Sequence, residues 1–197
     1  MLDIHNAIIV SCTHMYSLNK PDKKNILLKQ GRKLFHTNDL ALLWNITNKN
    51  TLYTAIRRYK ESGILIPIHK GFYSVMPLSR LDPVALGIAF LHSYAYLSTE
   101  SILAREGVIA QAVSAITLVS NTSKRFKLED TDYVVRQMKS RYLYNNCGIA
   151  RKNDHYEATL ERAIADILYY NPNYYFDNKN LVDWKKVKKI QKELEFK

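Results

Sequence analysis

Histidine and cysteine are the residues best suited to metal binding or nucleophilic chemistry, and their spacing predicts neither. No two histidines or cysteines stand three or four residues apart, the spacing typical of zinc ligands on a helix. The two cysteines form no Cys-x-x-Cys pair, and Cys147 lies beside Gly148 in an Asn-rich turn without an activating basic pattern. We therefore expect scattered histidines, an unreactive thiol and a reducing compartment. The histidines are His5, His14, His36, His69, His92 and His155.

Motifs of the common catalytic sites are also missing. The six glycines form no phosphate-binding loop, and no serine stands in a Gly-x-Ser-x-Gly motif. Glu195-Phe196-Lys197 formally matches an acidic-x-Lys nuclease ending, but it follows a predicted helix and has no metal-binding aspartate ahead of it. We therefore predict a protein that is not an enzyme and has no metal or cofactor.

Aromatic residues are concentrated near the end of one predicted helix. This group allows two interpretations: a stacking surface for single-stranded bases, or a buried helix end or protein interface. The second interpretation is favoured, because such packing is the commoner use of aromatic side chains. The residues are Tyr169, Tyr170, Tyr174, Tyr175 and Phe176.

The spacing of polar residues at 49–58 points to nucleic-acid recognition. Leu52, Ala55, Ile56 and Tyr59 recur at the spacing of one apolar helix face, so the polar residues between them lie on the opposite face. Asn, Thr, Tyr and Arg offer hydrogen-bonding groups suited to base edges and phosphates. We predict base contacts from Asn50, Tyr53, Thr54 and Arg57, and phosphate contacts from Lys49, Arg58 and Lys70.

The elements around this face are predicted to form a winged helix-turn-helix. Asn48 or Thr47 begins the polar helix, Gly63 ends it, and Thr37 is the expected N-cap of a short helix before it. A three-residue connection, His69-Lys70-Gly71, joins two β-rich runs into a hairpin, the predicted wing. Its first strand lies at an edge because of Pro67. The predicted helices cover residues 23–33, 37–43 and 49–62, and the predicted strands cover 64–68 and 72–75.

The charge of the chain is concentrated in the same region. Residues 20–80 carry 12 Lys and Arg against three acidic residues, a net +9 of the chain's +11. A local basic excess of this kind is the electrostatic footprint expected of a nucleic-acid-binding module. Hydrophobic residues make up 47% of the 197 residues, and the longest apolar run is far shorter than the roughly 20 residues of a membrane span. We expect a folded cytoplasmic protein without a membrane segment.

The remainder of the chain carries a net charge of +2 and is predicted to contain a mixed α/β domain. The predicted organisation is therefore an N-terminal segment (1–19), a winged helix-turn-helix domain (20–80) and a C-terminal domain (81–197), an α+β protein overall. Ser98 or Thr99 is expected to cap a helix that ends at Gly107. Helices are predicted over 83–92, 157–170 and 181–194, and strands over 115–120, 125–128 and 133–138.

The order of several segments resembles the AbiE-type antitoxins of bacterial type IV toxin–antitoxin systems. The similarity covers roughly residues 22–185. In its last segment, Arg162 stands where the family pattern Glu-Lys-Ala-Leu-x-Asp has Lys, a difference that we expect to be mild. Glu161 and Asp166 are expected to cap or to pair with basic neighbours. The similar segments are Phe35–Ala41, Tyr59–Leu65, Lys70–Tyr73, Tyr96–Leu103 and Ala158–Asp166.

The resemblance implies a winged-helix repressor that binds inverted repeats in double-stranded DNA at its own operon. Since two copies of a helix-turn-helix usually bind a pseudo-palindrome, we expect a homodimer on the operator. It also implies a C-terminal antitoxin domain that opposes a nucleotidyltransferase-like toxin in phage defence. The alternative is a protein-interaction module of a defence or mobile-element system, in which the basic face contacts an acidic protein without sequence-specific DNA binding.

Overall fold

The computed structural model describes residues 22–196, so the predicted N-terminal segment, 1–19, lies outside the described residues. Within the described range the chain is a mixed α+β protein with eight α-helices and two β-sheets. This confirms the predicted α+β class. Among these helices, none has the length and apolar character that a membrane crossing requires.

The first six elements surround a small core of their own. Leu52 and Ile56 of the polar helix pack there against Leu27, Phe35 and Leu40. The three strands form an antiparallel sheet in the order β1-β3-β2. The elements are α1 (Lys23–Lys29), β1 (Leu34–His36), α2 (Thr37–Leu43), α3 (Lys49–Glu61), β2 (Ile66–His69) and β3 (Phe72–Ser74).

Two local predictions in this region are wrong in detail, and one strand is missed. Helix α1 ends at Lys29 rather than at residue 33, and Gly31 follows with a φ of +64° that no helical residue adopts. The N-cap of α2 is His36 rather than Thr37, and the Asp39 carboxylate accepts a hydrogen bond from the His36 backbone N–H at 2.9 Å. Strand β1 was not predicted, because three residues are too few to show an alternating pattern.

The hairpin is tighter than predicted. His69 belongs to β2, so only Lys70 and Gly71 connect the strands, and Gly71 supplies the positive φ, +76°, that such a short turn needs. Pro67 is exposed on β2, which is an edge strand as predicted. The Gly71 carbonyl accepts a hydrogen bond from the Thr37 backbone N–H at 2.9 Å, which holds the turn against the start of α2.

The larger sheet has six strands in the order β6-β7-β5-β4-β9-β8. Its pairs are antiparallel except β4 with β9 and β5 with β7, which are parallel. The strands are β4 (Ala95–Leu97), β5 (Ala115–Ser120), β6 (Lys124–Leu128), β7 (Thr131–Gln137), β8 (Ile149–Lys152) and β9 (His155–Ala158). The helices are α4 (Pro83–Leu91), α5 (Glu100–Arg105), α6 (Ser140–Leu143), α7 (Leu160–Tyr170) and α8 (Trp184–Glu193).

Most elements of this part match the predictions, with three corrections. The predicted helix 181–194 begins only at Trp184, because residues 179–181 form a 3₁₀ turn and Asp183 caps the helix. The predicted helix 157–170 begins only at Leu160, because residues 155–158 form strand β9. Neither Ser98 nor Thr99 caps α5 through its side chain: Thr99 occupies the N-cap position without a side-chain bond, and the Ser98 hydroxyl donates to Asp166 at 2.7 Å. Strands β4, β8 and β9 were not predicted, since each is only three or four residues long.

The small sheet packs against α4 of the larger part. The Phe90 ring lies 5.6 Å from the Phe72 ring and 4.7 Å from the Phe126 ring, so one side chain contacts both sheets. The His36 Nε2 atom lies 2.8 Å from the Ala89 carbonyl oxygen, and the Lys33 ammonium lies 2.8 Å from the Asp154 carboxylate. A 3₁₀ turn, Leu78–Arg80, stands at the predicted domain boundary, which stays a prediction.

Candidate nucleic-acid interface

The polar helix α3 is fixed at both ends by its own sequence. At the start, the Asn48 side chain accepts hydrogen bonds from the Thr51 backbone N–H at 3.1 Å and from the Thr51 hydroxyl at 3.4 Å, as expected for an N-cap. At the end, the Ile64 N–H donates to the Tyr59 carbonyl at 2.9 Å and the Gly63 N–H donates to the Lys60 carbonyl at 3.0 Å. With Gly63 at a φ of +70°, this is a Schellman motif.

The apolar side of α3 determines which side chains remain outside. Leu52 and Ile56 are buried, Ala55 and Tyr59 are half-buried, and the Trp44 ring lies 5.1 Å from the Tyr59 ring. Burial raises the pKa of the Tyr59 hydroxyl, with a contribution from the charge of Asp22. All six predicted DNA-contacting residues of α3 are exposed: Lys49, Asn50, Tyr53, Thr54, Arg57 and Arg58.

These six side chains form two parallel rows. Lys49, Tyr53 and Arg57 stand at successive i, i+4 positions, as do Asn50, Thr54 and Arg58 one residue further on. In the first row, the Arg57 guanidinium lies 3.7 Å from the Glu61 carboxylate. The Arg57 side chain is 74% exposed and the Glu61 side chain is 67% exposed. An exposed pair of this kind contributes about 0.3–0.5 kcal/mol and breaks at little cost when another anion binds.

The second row borders a shallow depression between α3 and the start of α1. Its lining brings Lys23 next to Asn50, Thr54 and Arg58. The sequence pattern indicates Lys23 only as part of the region of excess charge, not as a residue of the site. Its position follows from the packing of α1, since the Trp44 indole N–H donates to the Lys23 carbonyl at 3.3 Å.

Lys70 lies apart from α3, at the tip of the β2–β3 hairpin. Its side chain is exposed, and within residues 22–196 it forms no ion pair or side-chain hydrogen bond. The bond from Thr37 to Gly71 ties this tip to the start of α2. The structure therefore holds the hairpin in a defined position beside the helices, without bringing Lys70 into contact with the residues of α3.

A second polar cluster, around Arg162, is completely buried. All five N–H groups of the Arg162 guanidinium have acceptors at 2.8–3.0 Å, and the Asp166 carboxylate accepts bonds from Arg162, Ser98 and Tyr96. Asp166 thus pairs with a basic neighbour, as expected. The acceptors of Arg162 are Asp166, the Tyr96 hydroxyl and the backbone carbonyls of Tyr142, Asn145 and Cys147.

This geometry indicates a structural role for the cluster. It also corrects the expectation that Arg162, in place of the lysine of the family pattern, is a mild change. A lysine ammonium has three donors and cannot replace five. Burial raises the pKa of the Asp166 carboxyl, whereas Arg162, Ser98 and Tyr96 favour its ionised form. Burial opposes the charge of Arg162 as well, but Asp166 and Tyr96 outweigh it and raise the pKa of the guanidinium. With donors on both carboxylate oxygens, we take the pair as ionised.

Other groups that sequence analysis considered show no catalytic arrangement among the described residues. Burial raises the pKa of the Cys147 thiol, which disfavours the nucleophilic thiolate. No group of three or more histidine, cysteine or acidic side chains in residues 22–196 is arranged to hold a metal ion. Of the aromatic group, Phe176 is buried and Tyr169 packs against Tyr142 and Phe196, whereas Tyr175 is 70% exposed. His5, His14, Cys12 and Lys197 lie outside the described residues.

Comparison with known proteins gives no family and only distant structural similarity. No family model matches the chain, and no curated protein matches it either. Among solved structures, the chain is similar to the RV2827C protein from Mycobacterium tuberculosis, with 13% sequence identity and a TM-score of 0.49. The similarity covers 86% of this chain and 69% of that one. A likeness at this level carries no functional argument.

Proposed function

We propose that residues 22–80 form a winged helix-turn-helix that binds double-stranded DNA. The observation that carries the proposal is the exposed polar face of α3. A turn that ends at the N-cap Asn48 connects α3 to α2, and a hairpin with Lys70 at its tip follows α3 in the chain. In a helix-turn-helix, the second helix enters the major groove and the first supports it. Here α2 and α3 take these places, and the β2–β3 hairpin takes the place of the wing.

Each row on α3 supplies both base contacts and phosphate contacts. Asn50, Tyr53, Thr54 and Arg57 face base edges, where Asn pairs with adenine and Arg with guanine through two hydrogen bonds each. Lys49, Arg58 and Lys70 bind phosphates, and Lys23 joins Arg58 at the same depression. Arg57 exchanges its weak pair with Glu61 for a base. A homodimer on an inverted-repeat operator follows from the usual symmetry of such sites.

Two substitutions separate base contacts from phosphate contacts. Arg57→Ala is expected to cost roughly 1–3 kcal/mol on the preferred sequence and to relax the preference at one position. Lys70→Ala is expected to weaken binding to all sequences alike and to lower the salt slope by about one. Selection from a random duplex library, followed by titration of the selected duplex, measures both effects. If the wild type, Arg57→Ala and Lys70→Ala bound every duplex equally, the assignment of base and phosphate contacts would be refuted.

We further propose that the chain is the repressor and antitoxin of a type IV toxin–antitoxin system, which resembles the AbiE type. The order of its similar segments supports this, and residues 81–197 would carry the activity that opposes a nucleotidyltransferase-like toxin. Co-expression with the product of an adjacent nucleotidyltransferase-like gene tests the proposal. Growth is expected to recover with the full chain and also with Arg57→Ala, which affects only DNA binding. Failure of both to restore growth would contradict antitoxin activity while leaving DNA binding intact.

A further inference from the structure

The face of the larger sheet that lies opposite α4 is open at strands β6 and β7. On the α4 side, Phe126 and Tyr133 are stacked at 4.8 Å, and Gly87 of α4 approaches the Tyr133 ring closely enough that a Cβ atom would lie 2.3 Å from it. Since side chains alternate along a strand, Arg125, Val134 and Arg136 point to the other side. Arg125 is exposed there, and Val134 and Arg136 are half-buried.

The register places two arginines over one depression. Arg125 pairs with Val134 across β6 and β7, so Arg136 is its diagonal neighbour, at about 7–8 Å between Cβ atoms. Long side chains reach a common ligand over that separation. The depression has a volume of about 400 Å³, within the range of roughly 300–1,000 Å³ typical of small-molecule sites. Its lining also includes Ser123, Gln137 and Tyr170.

Two hydrogen-bond donors of the lining lack acceptors. The Arg136 Nε and the Tyr170 hydroxyl are buried with no hydrogen-bond partner. Among the described residues, no carboxylate lies within 4 Å of the Arg125 guanidinium. Glu100 does not line the depression, but its Oε1 atom pairs with Arg136 and its Oε2 atom is buried without a hydrogen-bond partner. Buried polar groups without partners are rare in folded proteins and call for an explanation, such as a missing ligand.

We propose that this depression, bounded by Arg125, Arg136 and Tyr170, binds a phosphoryl group. Guanidinium groups match the oxygen geometry of phosphate with two parallel hydrogen bonds, and the neutral Tyr170 and Ser123 hydroxyls add single donors. Arg125 supplies the uncompensated charge. Arg136, held by Glu100 and lying 5.5 Å from the Tyr170 ring centroid, supplies a fixed donor. The site does not depend on DNA contact by α3.

The test is a titration of the ¹⁵N-labelled full chain with inorganic phosphate, followed by amide NMR at pH 7 and constant ionic strength kept with sodium chloride. We expect saturable shifts at Ser123, Arg125, Arg136 and Gln137. Arg125→Gln is expected to weaken binding roughly tenfold, as loss of a charged hydrogen bond does. Tyr170→Phe, which keeps the ring, is expected to weaken it by a smaller factor.

Lys127→Gln is the matched control, because Lys127 is exposed on the same face of the same strand but does not line the depression. It is expected to leave the affinity unchanged. A parallel titration with a random-sequence duplex identifies the source of the phosphoryl group: shifts with phosphate alone indicate a small molecule, and shifts with duplex that phosphate reverses indicate the DNA backbone. Absence of saturable shifts with both ligands, or equal weakening by Arg125→Gln and Lys127→Gln, would overturn the proposal.

Discussion

Arg162 and Asp166 form an ion pair without contact with water, since both side chains are 0% exposed. They stand four residues apart on α7, where every residue from 162 to 167 is buried. Removal of a charge from water costs several kcal/mol, which the pair offsets only because its hydrogen bonds are complete. The bonds to the carbonyls of Asn145 and Cys147 also fix the chain before β8, where Gly148 has a φ of +70°.

Removal of one partner leaves the other charge buried and unpaired. Arg162→Met is therefore expected to lower the free energy of unfolding by about 3–5 kcal/mol. The double variant Arg162→Met/Asp166→Leu, which removes both charges, is expected to recover most of that loss. Urea denaturation followed by circular dichroism measures both. If the free energy of unfolding of Arg162→Met were within about 1 kcal/mol of the wild-type value, the ion pair would not be a major source of stability.

At the scale of elements, sequence patterns predict long helices and miss short strands. Helix α3 shows the apolar spacing of its buried side and carries recognisable residues at both ends, so its bounds agree with the prediction to one residue. Strands β1 and β4 have three residues each, too few for a periodic signal. Burial of Arg162 could not be predicted either, because a charged residue in a helix normally faces water and the acceptors around it come from distant segments.

The N-cap of α3 supports both the helix and the proposed DNA contacts. Asn48→Ala removes the acceptor for the Thr51 N–H and is expected to cost about 1 kcal/mol of stability. It is also expected to weaken DNA binding modestly, because Lys49 and Asn50 lie in the first turn of the helix. Asn48→Ser keeps a capping oxygen and serves as the control. Thermal unfolding and DNA titration test this expectation. Equal stability and equal DNA affinity of Asn48→Ala and Asn48→Ser would contradict it.

On the scale of the whole molecule, the two sheets share packing contacts across the predicted domain boundary. Phe72 of the small sheet belongs to the same hydrophobic cluster as Tyr96 and Leu118 of the large one. The His36 and His92 rings stack at 4.5 Å, and the Phe90 ring lies 5.1 Å from the His69 ring. A cluster that spans both sheets couples their unfolding, so we expect one cooperative transition for the described chain.

Phe90→Ala removes the side chain that contacts both sheets. Phe90 is half-buried, so its truncation is expected to cost less than the roughly 3–5 kcal/mol of a fully buried phenylalanine. The loss falls mainly on the contact between the two parts. We expect two separate calorimetric transitions in this variant, in place of one. Leu42→Ala is the control, since Leu42 is 81% exposed and makes no such contact. A single transition in Phe90→Ala, shifted but not divided, would show that the parts are joined by other contacts.

The central claim, that the basic region binds duplex DNA, is tested most directly by the salt dependence of binding to a random-sequence duplex. Residues 20–80 carry a net +9, and each phosphate contact contributes about −0.9 to the slope of log affinity against log salt concentration. With Lys23, Lys49, Arg58 and Lys70 on phosphates, the account predicts a steep slope of roughly −3 to −4 per chain. No measurable affinity for duplex at low salt, or an affinity that salt does not change, would contradict it.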